Sequence, residues 1–454
     1  MKMKNFLKKA FIALFITTIV SCSDDDDTTF IPDTMTITDF VTANAEYSLL
    51  LEALQKTNLD VTLNGNGTFT VFAPNNDAFT AFLGTATIDD VPTETLNQLL
   101  LNHVLGSTVT SGELSTGYVS TLAEEPSTAS NISMFINTAD SAVLINGDAS
   151  VTTPDIMTDN GVIHAVDRVI PLPTMLTFVA VDSDLSSLAT VATTTTGFDT
   201  DFAAVLSGID SNLTLLAPDN AAFTALGDIS GVAVTALEQI LLNHVIAGIN
   251  VSSTLSTSYN NTLATYADTD NNLSIYINVD TGVSFNGMSD VTEADIVASN
   301  GVIHKVGAVV TLPTVVTFAT ADANFSTLVA ALTTLTPSTD FVDILSTMNG
   351  TDPAPFTVFA PTNDAFMLIE PLPTDENVIA GILQHHVIGM ANVRSTDLTT
   401  GTVTTLNGDV TIDAAAPSVT GGSNMSASNI IVVDVQAGNG VIHAIDQVLL
   451  PTTR

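Results

Sequence analysis

The sequence predicts a protein of the α+β class that contains three tandem copies of one unit. The apolar segment at residues 69–79 recurs at 213–223 and at 356–366, which are offsets of 144 and 143 residues. In each copy, a segment with helical periodicity follows, and several short β-rich segments close the unit. Because repeats at a constant register indicate repeated structural units, each copy is expected to fold around a core of its own.

The elements within one unit are predicted from the residues that bound them. Residues 69–73 form a short apolar run that is typical of a buried strand. Asn75 can cap the following helix, because its side chain can accept a hydrogen bond from the first helical turn. A further helix is predicted to begin near Thr93 and to end at Gly106. After a tight Asn-Gly turn, residues 162–170 are predicted to form the closing strand.

Two histidines recur in every unit and are the candidate site residues. The first lies in the apolar stripe of the second predicted helix, as His103, His244 and His386. The residues immediately before it are Asn102, Asn243 and His385. The second follows the Asn-Gly turn, as His164, His304 and His443. Each set is interpreted either as core histidines held by hydrogen bonds or as contacts to a partner. A metal site that joins two histidines to Asp155 is a further alternative, but no metal or cofactor is expected.

The charge balance limits the classes of partner. The chain has 48 acidic and 9 basic residues, and four of the basic residues lie within the first ten positions. Nucleic-acid binding requires clustered cations that neutralise phosphates, so it is not expected, and acidic polysaccharides would need bridging divalent cations. The single cysteine, Cys22, excludes an intrachain disulfide and a cysteine-based zinc site.

The N-terminus has the pattern of an export signal. Residues 1–9 are basic, and the apolar run at 10–20 is too short to cross a bilayer. The residues Ile-Val-Ser-Cys that end at Cys22 resemble the lipobox of bacterial lipoproteins. This resemblance implies a signal peptide at 1–21, cleavage before Cys22 and lipidation of that cysteine, which would anchor the chain to a membrane. The alternative is an ordinary signal peptide with an incidental cysteine.

Four consecutive aspartates follow at residues 24–27. They are interpreted as part of an acidic, solvated tether at 22–33, although metal binding is an alternative. An acidic run just after a lipidated cysteine also resembles the surface-export signal of Bacteroidetes lipoproteins, which implies display on the outer face of the outer membrane.

Taken together, the Ala-Pro-(Asn/Asp/Thr)-Asn segment, the helix ending in His-Val and the closing Asn-Gly-Val-Ile-His segment resemble the fasciclin (FAS1) domain. The resemblance covers three units at 34–173, 174–313 and 314–454. It implies an α+β fold in which each unit is a β-sandwich-like wedge with several helices, an extracellular location, and no catalysis. In animal members, a Tyr-His pair at the helix end is associated with integrin binding. Asn102, Asn243 and His385 replace that tyrosine here, so the motif does not carry over.

The expected function is adhesion or binding at the cell surface. The resemblance implies a non-catalytic lipoprotein that presents three modules to an extracellular protein, matrix or glycan ligand. An accessory protein that captures polysaccharide at the outer membrane is the alternative. An enzyme is not expected, because no Gly-x-Ser-x-Gly elbow is present. The segment 268–272 begins like a calcium loop but lacks its central glycine and closing glutamate. Linkers of a few residues predict a stiff rod.

Overall fold

The computed structural model describes residues 35–452, apart from residues 140, 141, 268 and 370. The predicted signal peptide, Cys22 and the acidic tether lie outside the described residues, as does the first residue of the calcium-like segment. Within the described part of the chain, no single helix is long and apolar enough to cross a membrane. Two sharply bent helix pairs, at 175–194 and 315–333, have the length and apolar composition of a membrane span only when the two helices of each pair are counted together.

The first unit is an α+β domain in which helices cover one side of a seven-stranded sheet. Its helices are α1 (Ile37–Ala43), α2 (Ser48–Thr57), α3 (Leu59–Leu63), α4 (Asn76–Leu83) and α5 (Thr93–Leu101). Its strands are β1 (Phe69–Pro74), β2 (Val104–Leu105), β3 (Gly117–Glu125), β4 (Ser130–Asn137), β5 (Leu144–Ile145), β6 (Ala149–Thr158) and β7 (Gly161–Val166). The strand order is β2-β1-β7-β6-β5-β4-β3, and β1 and β7 are parallel. The first and the last strand of the unit therefore lie side by side.

The second unit repeats this order. Its helices are α6 (Met175–Val181), α7 (Ser186–Thr194), α8 (Phe202–Ser207), α9 (Asn220–Leu226) and α10 (Val234–Leu242). Its strands are β8 (Leu213–Pro218), β9 (Val245–Ala247), β10 (Ser258–Thr265), β11 (Asn272–Asn278), β12 (Ser284–Phe285), β13 (Ser289–Ala298) and β14 (Gly301–Val306). Here the sheet closes into a barrel, because Thr262 of β10 pairs with Ile246 of β9.

The third unit has the strand order of the first. Its helices are α11 (Val315–Ala321), α12 (Ser326–Thr333), α13 (Phe341–Leu345), α14 (Asn363–Met367) and α15 (Glu376–Gln384). Its strands are β15 (Phe356–Pro361), β16 (Val387–Gly389), β17 (Gly401–Thr405), β18 (Gly408–Asp413), β19 (Ser418–Thr420), β20 (Ser428–Ala437) and β21 (Gly440–Ile445). The α+β class predicted for each repeat is confirmed.

The core of each unit has two parts that meet at the central strands. In β1, Val71 belongs to a cluster with the helices, whereas its neighbour Phe72 belongs to a cluster with the outer strands. Successive side chains of a strand point to opposite faces, so a strand that is apolar on both faces can join two cores. This explains why consecutive residues at 71–73 are all apolar.

The first helix after β1 begins as the sequence predicts. Asn75 caps α4, and its side chain accepts a hydrogen bond from the Ala78 amide at 2.9 Å. Asp219 caps α9 and Thr362 caps α14 in the same way. Each cap satisfies a main-chain donor that the first turn of a helix leaves unpaired.

Two predicted boundaries were wrong. Helix α5 ends at Leu101, with Asn102 as its C-cap, so His103 lies beyond the helix and Gly106 does not end it. The reason is that the His103 carbonyl accepts the Phe72 amide of β1 at 2.9 Å, which draws the chain into β2. The closing strand β7 ends at Val166 rather than at residue 170. Beyond it, the Ile170 amide donates to a histidine ring instead of continuing the strand ladder.

Candidate functional site

The first histidine of each unit ties the helix end to the segment that closes the unit. Nδ1 of His103 lies 2.7 Å from the Leu99 carbonyl, and Nε2 lies 2.8 Å from the Ile170 amide. A carbonyl only accepts and an amide only donates, so Nδ1 carries the proton and Nε2 is the acceptor. His244 and His386 make the equivalent pairs of bonds. All three side chains are buried.

Burial keeps these three imidazoles neutral. Because desolvation disfavours the charged form, it lowers the pKa of His103, His244 and His386 from 6.5 to about 4. The hydrogen bond from Nδ1 to the helix carbonyl acts in the opposite direction but is the smaller effect. The neutral ring is also the form that both hydrogen bonds require, since a protonated Nε2 could not accept from an amide.

The residue before this histidine differs between the units. The side-chain amide groups of Asn102 and Asn243 donate to two carbonyls of the closing segment, at 3.1–3.2 Å. His385 replaces them in the third unit and instead bonds the Asn407 carbonyl through Nδ1 at 2.6 Å. Its Nε2 is buried and has no hydrogen-bond partner in the described part of the chain. Asn424 bonds the closing segment in its place.

The second histidine of each unit organises an aspartate loop. Nε2 of His164 lies 2.9 Å from the Val109 carbonyl, and Nδ1 accepts the Asp155 amide at 3.2 Å. Asp155 has a positive φ of 60°, and its carboxylate accepts bonds from the amide and hydroxyl of Ser111. His304 with Asp295 and His443 with Asp434 repeat the arrangement. The nine-residue spacing between the aspartate and the histidine thus corresponds to a main-chain hydrogen bond.

These contacts determine what the histidines can do chemically. In the set at the helix end and in the set beside the aspartate loop, main-chain groups of the same unit bond both ring nitrogens of each histidine. Burial also lowers the pKa of His304 and His443. Across residues 35–452, apart from the four omitted positions, no group of three or more His, Cys, Asp or Glu side chains is placed to hold a metal ion.

The junction between the first two units is a second cluster of recurring residues, which sequence reasoning missed. Tyr118 of β3 packs against Phe135 and against Phe178 of α6, with ring centroids 5.0 Å and 5.3 Å away. Its hydroxyl donates to Asp182 of the second unit at 2.9 Å. The Ser133 hydroxyl oxygen accepts the Val297 amide at 3.0 Å. Side chains of both units therefore share one core.

A buried cation completes this first junction. The Lys305 ammonium lies 2.6 Å from Asp182, 2.9 Å from Glu293 and 5.1 Å from the centroid of the Tyr118 ring. Burial alone would lower the pKa of Lys305, but its bonds to the two carboxylates outweigh burial and raise the pKa. Asp182, whose side chain also caps the short helical turn at 183–185, thus links two units.

The second junction repeats the aromatic contacts. Tyr259 of β10 packs against Tyr276 and against Phe318 of α11, with ring centroids 4.9 Å and 5.6 Å away. The Tyr259 hydroxyl donates to Asp322 at 2.9 Å, and the Ser274 hydroxyl oxygen accepts the Gln436 amide at 3.0 Å. Burial raises the pKa of Tyr276 to about 12. Aligning the repeats would have revealed the tyrosine and aspartate that recur at both junctions.

Three tandem α+β units with these shared contacts define the class of the protein. The family model of the fasciclin domain matches residues 45–173, 183–313 and 323–451. The chain belongs to this family and contains three FAS1 domains, as the sequence motifs predicted. Such domains occur in cell-adhesion proteins, and fasciclin I of insects is one of them.

Individual relatives can be compared along most of the chain. Pig (Sus scrofa) transforming growth factor-beta-induced protein ig-h3 is 27% identical over 430 residues, which cover 89% of this chain and 56% of the relative. Human (Homo sapiens) periostin is 28% identical over 263 residues, covering 54% of this chain and 29% of periostin. The chain thus spans about half the length of ig-h3, and less of periostin. A solved FAS1 domain pair from the insect cell adhesion molecule fasciclin I is 17% identical, with a TM-score of 0.37, and covers 58% of this chain and 95% of that structure.

Proposed function

We propose that this protein is a non-catalytic adhesion or binding protein that presents three FAS1 domains to an extracellular protein or matrix partner. The observation that carries the proposal is the pair of shared cores at the domain junctions, described above. These shared cores hold the three domains, and with them three homologous surfaces, at a fixed spacing. A partner with matching repeats could then bind several weak sites at once, which raises the overall affinity without any new contact.

The chemistry of the recurring histidines also supports a binding role over catalysis. A general acid or base must have a ring nitrogen free to exchange a proton with a substrate. In both repeated sets, main-chain groups occupy the two nitrogens of each ring. The three rings with a pKa of about 4 are also neutral at physiological pH.

The proposal includes lipid anchorage at Cys22 and exposure on the outer membrane. It is supported by the lipobox-like sequence and the acidic run that follows it. In cells that make the protein, a Cys22→Ser variant should leave the membrane fraction and lose the mass of the acyl groups. Detection of unlipidated Cys22 in membrane-bound mature protein would contradict this part of the proposal.

Multivalent binding is tested by comparing the full chain with a variant whose junctions are loosened by Tyr118→Phe and Tyr259→Phe. Both proteins are applied to immobilised extracellular matrix proteins and, separately, to polysaccharides with and without calcium. Adhesion by fixed units predicts retention on a protein matrix that weakens several-fold in the double variant. Retention on polysaccharide alone would replace the proposal with glycan capture.

A further inference from the structure

The two domain junctions differ at one position that changes their chemistry. Lys305 of β14 lies beside Ala217 and opposite Glu293. Ala444 of β21 has the equivalent register, because it lies beside Ala360 and opposite Val432. The lysine of the first junction is therefore replaced by an alanine in the second, and the facing glutamate by a valine.

At the first junction, this position is occupied by a buried lysine. The Lys305 side chain is only 9% exposed, and its ammonium is bound by the carboxylates of Asp182 and Glu293. The Tyr118 ring lies beneath the ammonium, where the face of an aromatic ring attracts a cation. The side chain thus fills the space between two domains and neutralises a buried carboxylate.

The second junction keeps the carboxylate and the aromatic ring but lacks the cation. Asp322 is 5% exposed and accepts hydrogen bonds from the hydroxyls of Tyr259 and Tyr276. In the described part of the chain, Asp322 has no salt-bridge partner. Leaving a buried carboxylate without a counter-charge is costly, so this position favours a cation.

A cavity occupies the space that the lysine would fill. Its volume is about 340 Å³, within the range of roughly 300–1,000 Å³ that is usual for small-molecule sites. The polar lining includes Asp322, Tyr259 and Asp364, while Val432 and Ala444 belong to the apolar wall. Asp364 is exposed, and its counterpart in the second unit is Ala221, so the wall of this cavity has a carboxylate where the second unit has an alanine.

We propose that this cavity binds a primary alkylammonium group. The ammonium would be held by Asp322 over the face of Tyr259, and the alkyl chain would lie along Val432 and Ala444. n-Propylammonium contains the three carbons and the nitrogen by which a lysine side chain exceeds an alanine. The proposed site does not depend on the adhesive function, because it is defined by small-molecule binding alone.

The proposal is tested by titrating the full chain with n-propylammonium chloride and following binding by calorimetry or NMR. We expect one saturable site with an affinity on the order of millimolar, since the ligand has only four heavy atoms. n-Propanol has the same shape without the charge and should not bind. Nα-acetyl-lysine methylamide is a second probe, and its binding would indicate that a lysine of another protein can enter, whereas binding of n-propylammonium alone would indicate a free amine.

Variants at the two junctions localise the binding. Ala444→Lys should weaken n-propylammonium binding at least tenfold, because its own ammonium would occupy the cavity. Asp322→Asn keeps the shape and should also weaken binding about tenfold, and it serves as the test if the first variant does not fold. Conversely, Lys305→Ala should create a second equivalent of binding at the first junction. Unchanged binding in the Ala444 and Asp322 variants, equal binding of n-propanol, or no saturable binding to the unmodified chain would overturn the proposal.

Discussion

The Tyr118 hydroxyl of the first domain donates a hydrogen bond to the buried Asp182 of the second, at 2.9 Å. The two residues are 64 positions apart, yet the bond and its counterpart between Tyr259 and Asp322 are the same length. Because the same tyrosine–aspartate bond occurs at both junctions, the sequence specifies how neighbouring domains contact each other. Since the two junctions are formed by different residues, each can be weakened by mutation while the other stays intact.

The first prediction is that Tyr118→Phe loosens only the first junction. A hydrogen bond to a charged group contributes roughly 1.5–3 kcal/mol, so opening of this junction should become at least about tenfold more frequent. The Val297 amide donates across the first junction and the Gln436 amide across the second. Hydrogen exchange should accelerate at Val297 and stay unchanged at Gln436.

Tyr47→Phe is the matched control, because Tyr47 is buried in the core of the first domain. It should leave exchange at Val297 unaltered. Equal exchange at Val297 in the Tyr118 variant and the unmodified chain would show that the hydroxyl does not couple the domains.

The second prediction concerns the two hydrogen bonds made by the His244 ring. His244→Ala removes the bonds to the Ile240 carbonyl and the Val310 amide, and leaves both main-chain groups buried. Together with the cavity that remains, this should lower the free energy of unfolding by roughly 2–4 kcal/mol. Calorimetry of the full chain should show a lower melting temperature for one domain.

The exposed Asn261 of the same domain provides a control, since Asn261→Ala should leave the melting temperature nearly unchanged. If His244→Ala also melted normally but lost binding to a protein partner, the histidine would have to be reassigned to a contact surface.

Much of the fold was predictable from the sequence because local signals agreed with it. The apolar run before Pro74 and the capping side chain of Asn75 define a strand and a helix start without tertiary information. The end of α5 was mispredicted because the His103 carbonyl bonds to β1, and this partner lies 31 residues earlier in the sequence. No periodicity within the helix reports that contact.

The site was less predictable, because its contacts also join residues that are far apart in the sequence. The histidines were found because they recur next to strong motifs, but their hydrogen-bond partners are main-chain atoms, which carry no sequence signal. Tyr118 and Asp182 both recur in the repeats, but the bond between them joins two domains, so no pattern within one repeat pairs the two residues. The cation at Lys305 is not repeated and therefore lies outside any pattern that the repeats share.

The third prediction is a loss of stability in mild acid. His103, His244 and His386 have a pKa of about 4 in the folded chain, against 6.5 when unperturbed. Between these values the unfolded chain binds more protons, so the stabilisation is fully present above 6.5 and is lost as the pH falls towards 4. The total loss should be roughly 3 kcal/mol per domain, with about 2 kcal/mol already lost at about pH 5.

Urea unfolding between about pH 7 and pH 5 measures the contribution of the histidines with little from the carboxylates, because most carboxylates remain ionised in that range. His244→Ala should reduce the pH dependence of the second domain to the part that His304 contributes, because burial lowers the pKa of that histidine as well, and should leave the other two domains unchanged. A free energy of unfolding that is constant over this range would contradict neutral, buried histidines.

The fourth prediction compares a buried and an exposed ion pair. Lys305→Met keeps the alkyl bulk at the first junction but leaves Asp182 without its cation. Removing one partner of a buried pair costs about 3–5 kcal/mol, and somewhat less is expected here because Glu293 is partly exposed. Arg168, whose pair with Asp148 is more than half exposed on both sides, is the control. Arg168→Met should change stability by less than about 1 kcal/mol.

The Lys305 prediction has a second readout that separates the ion pair from packing. Combining Lys305→Met with Asp182→Asn removes the unpaired charge and should recover much of the lost stability, since an apolar or neutral replacement of a buried pair is often tolerated. Urea unfolding of the two single variants and the double variant measures this coupling. Strictly additive losses would mean that Lys305 does not stabilise the junction through its pair with Asp182, and the same result would remove the argument that the junction selects a cation.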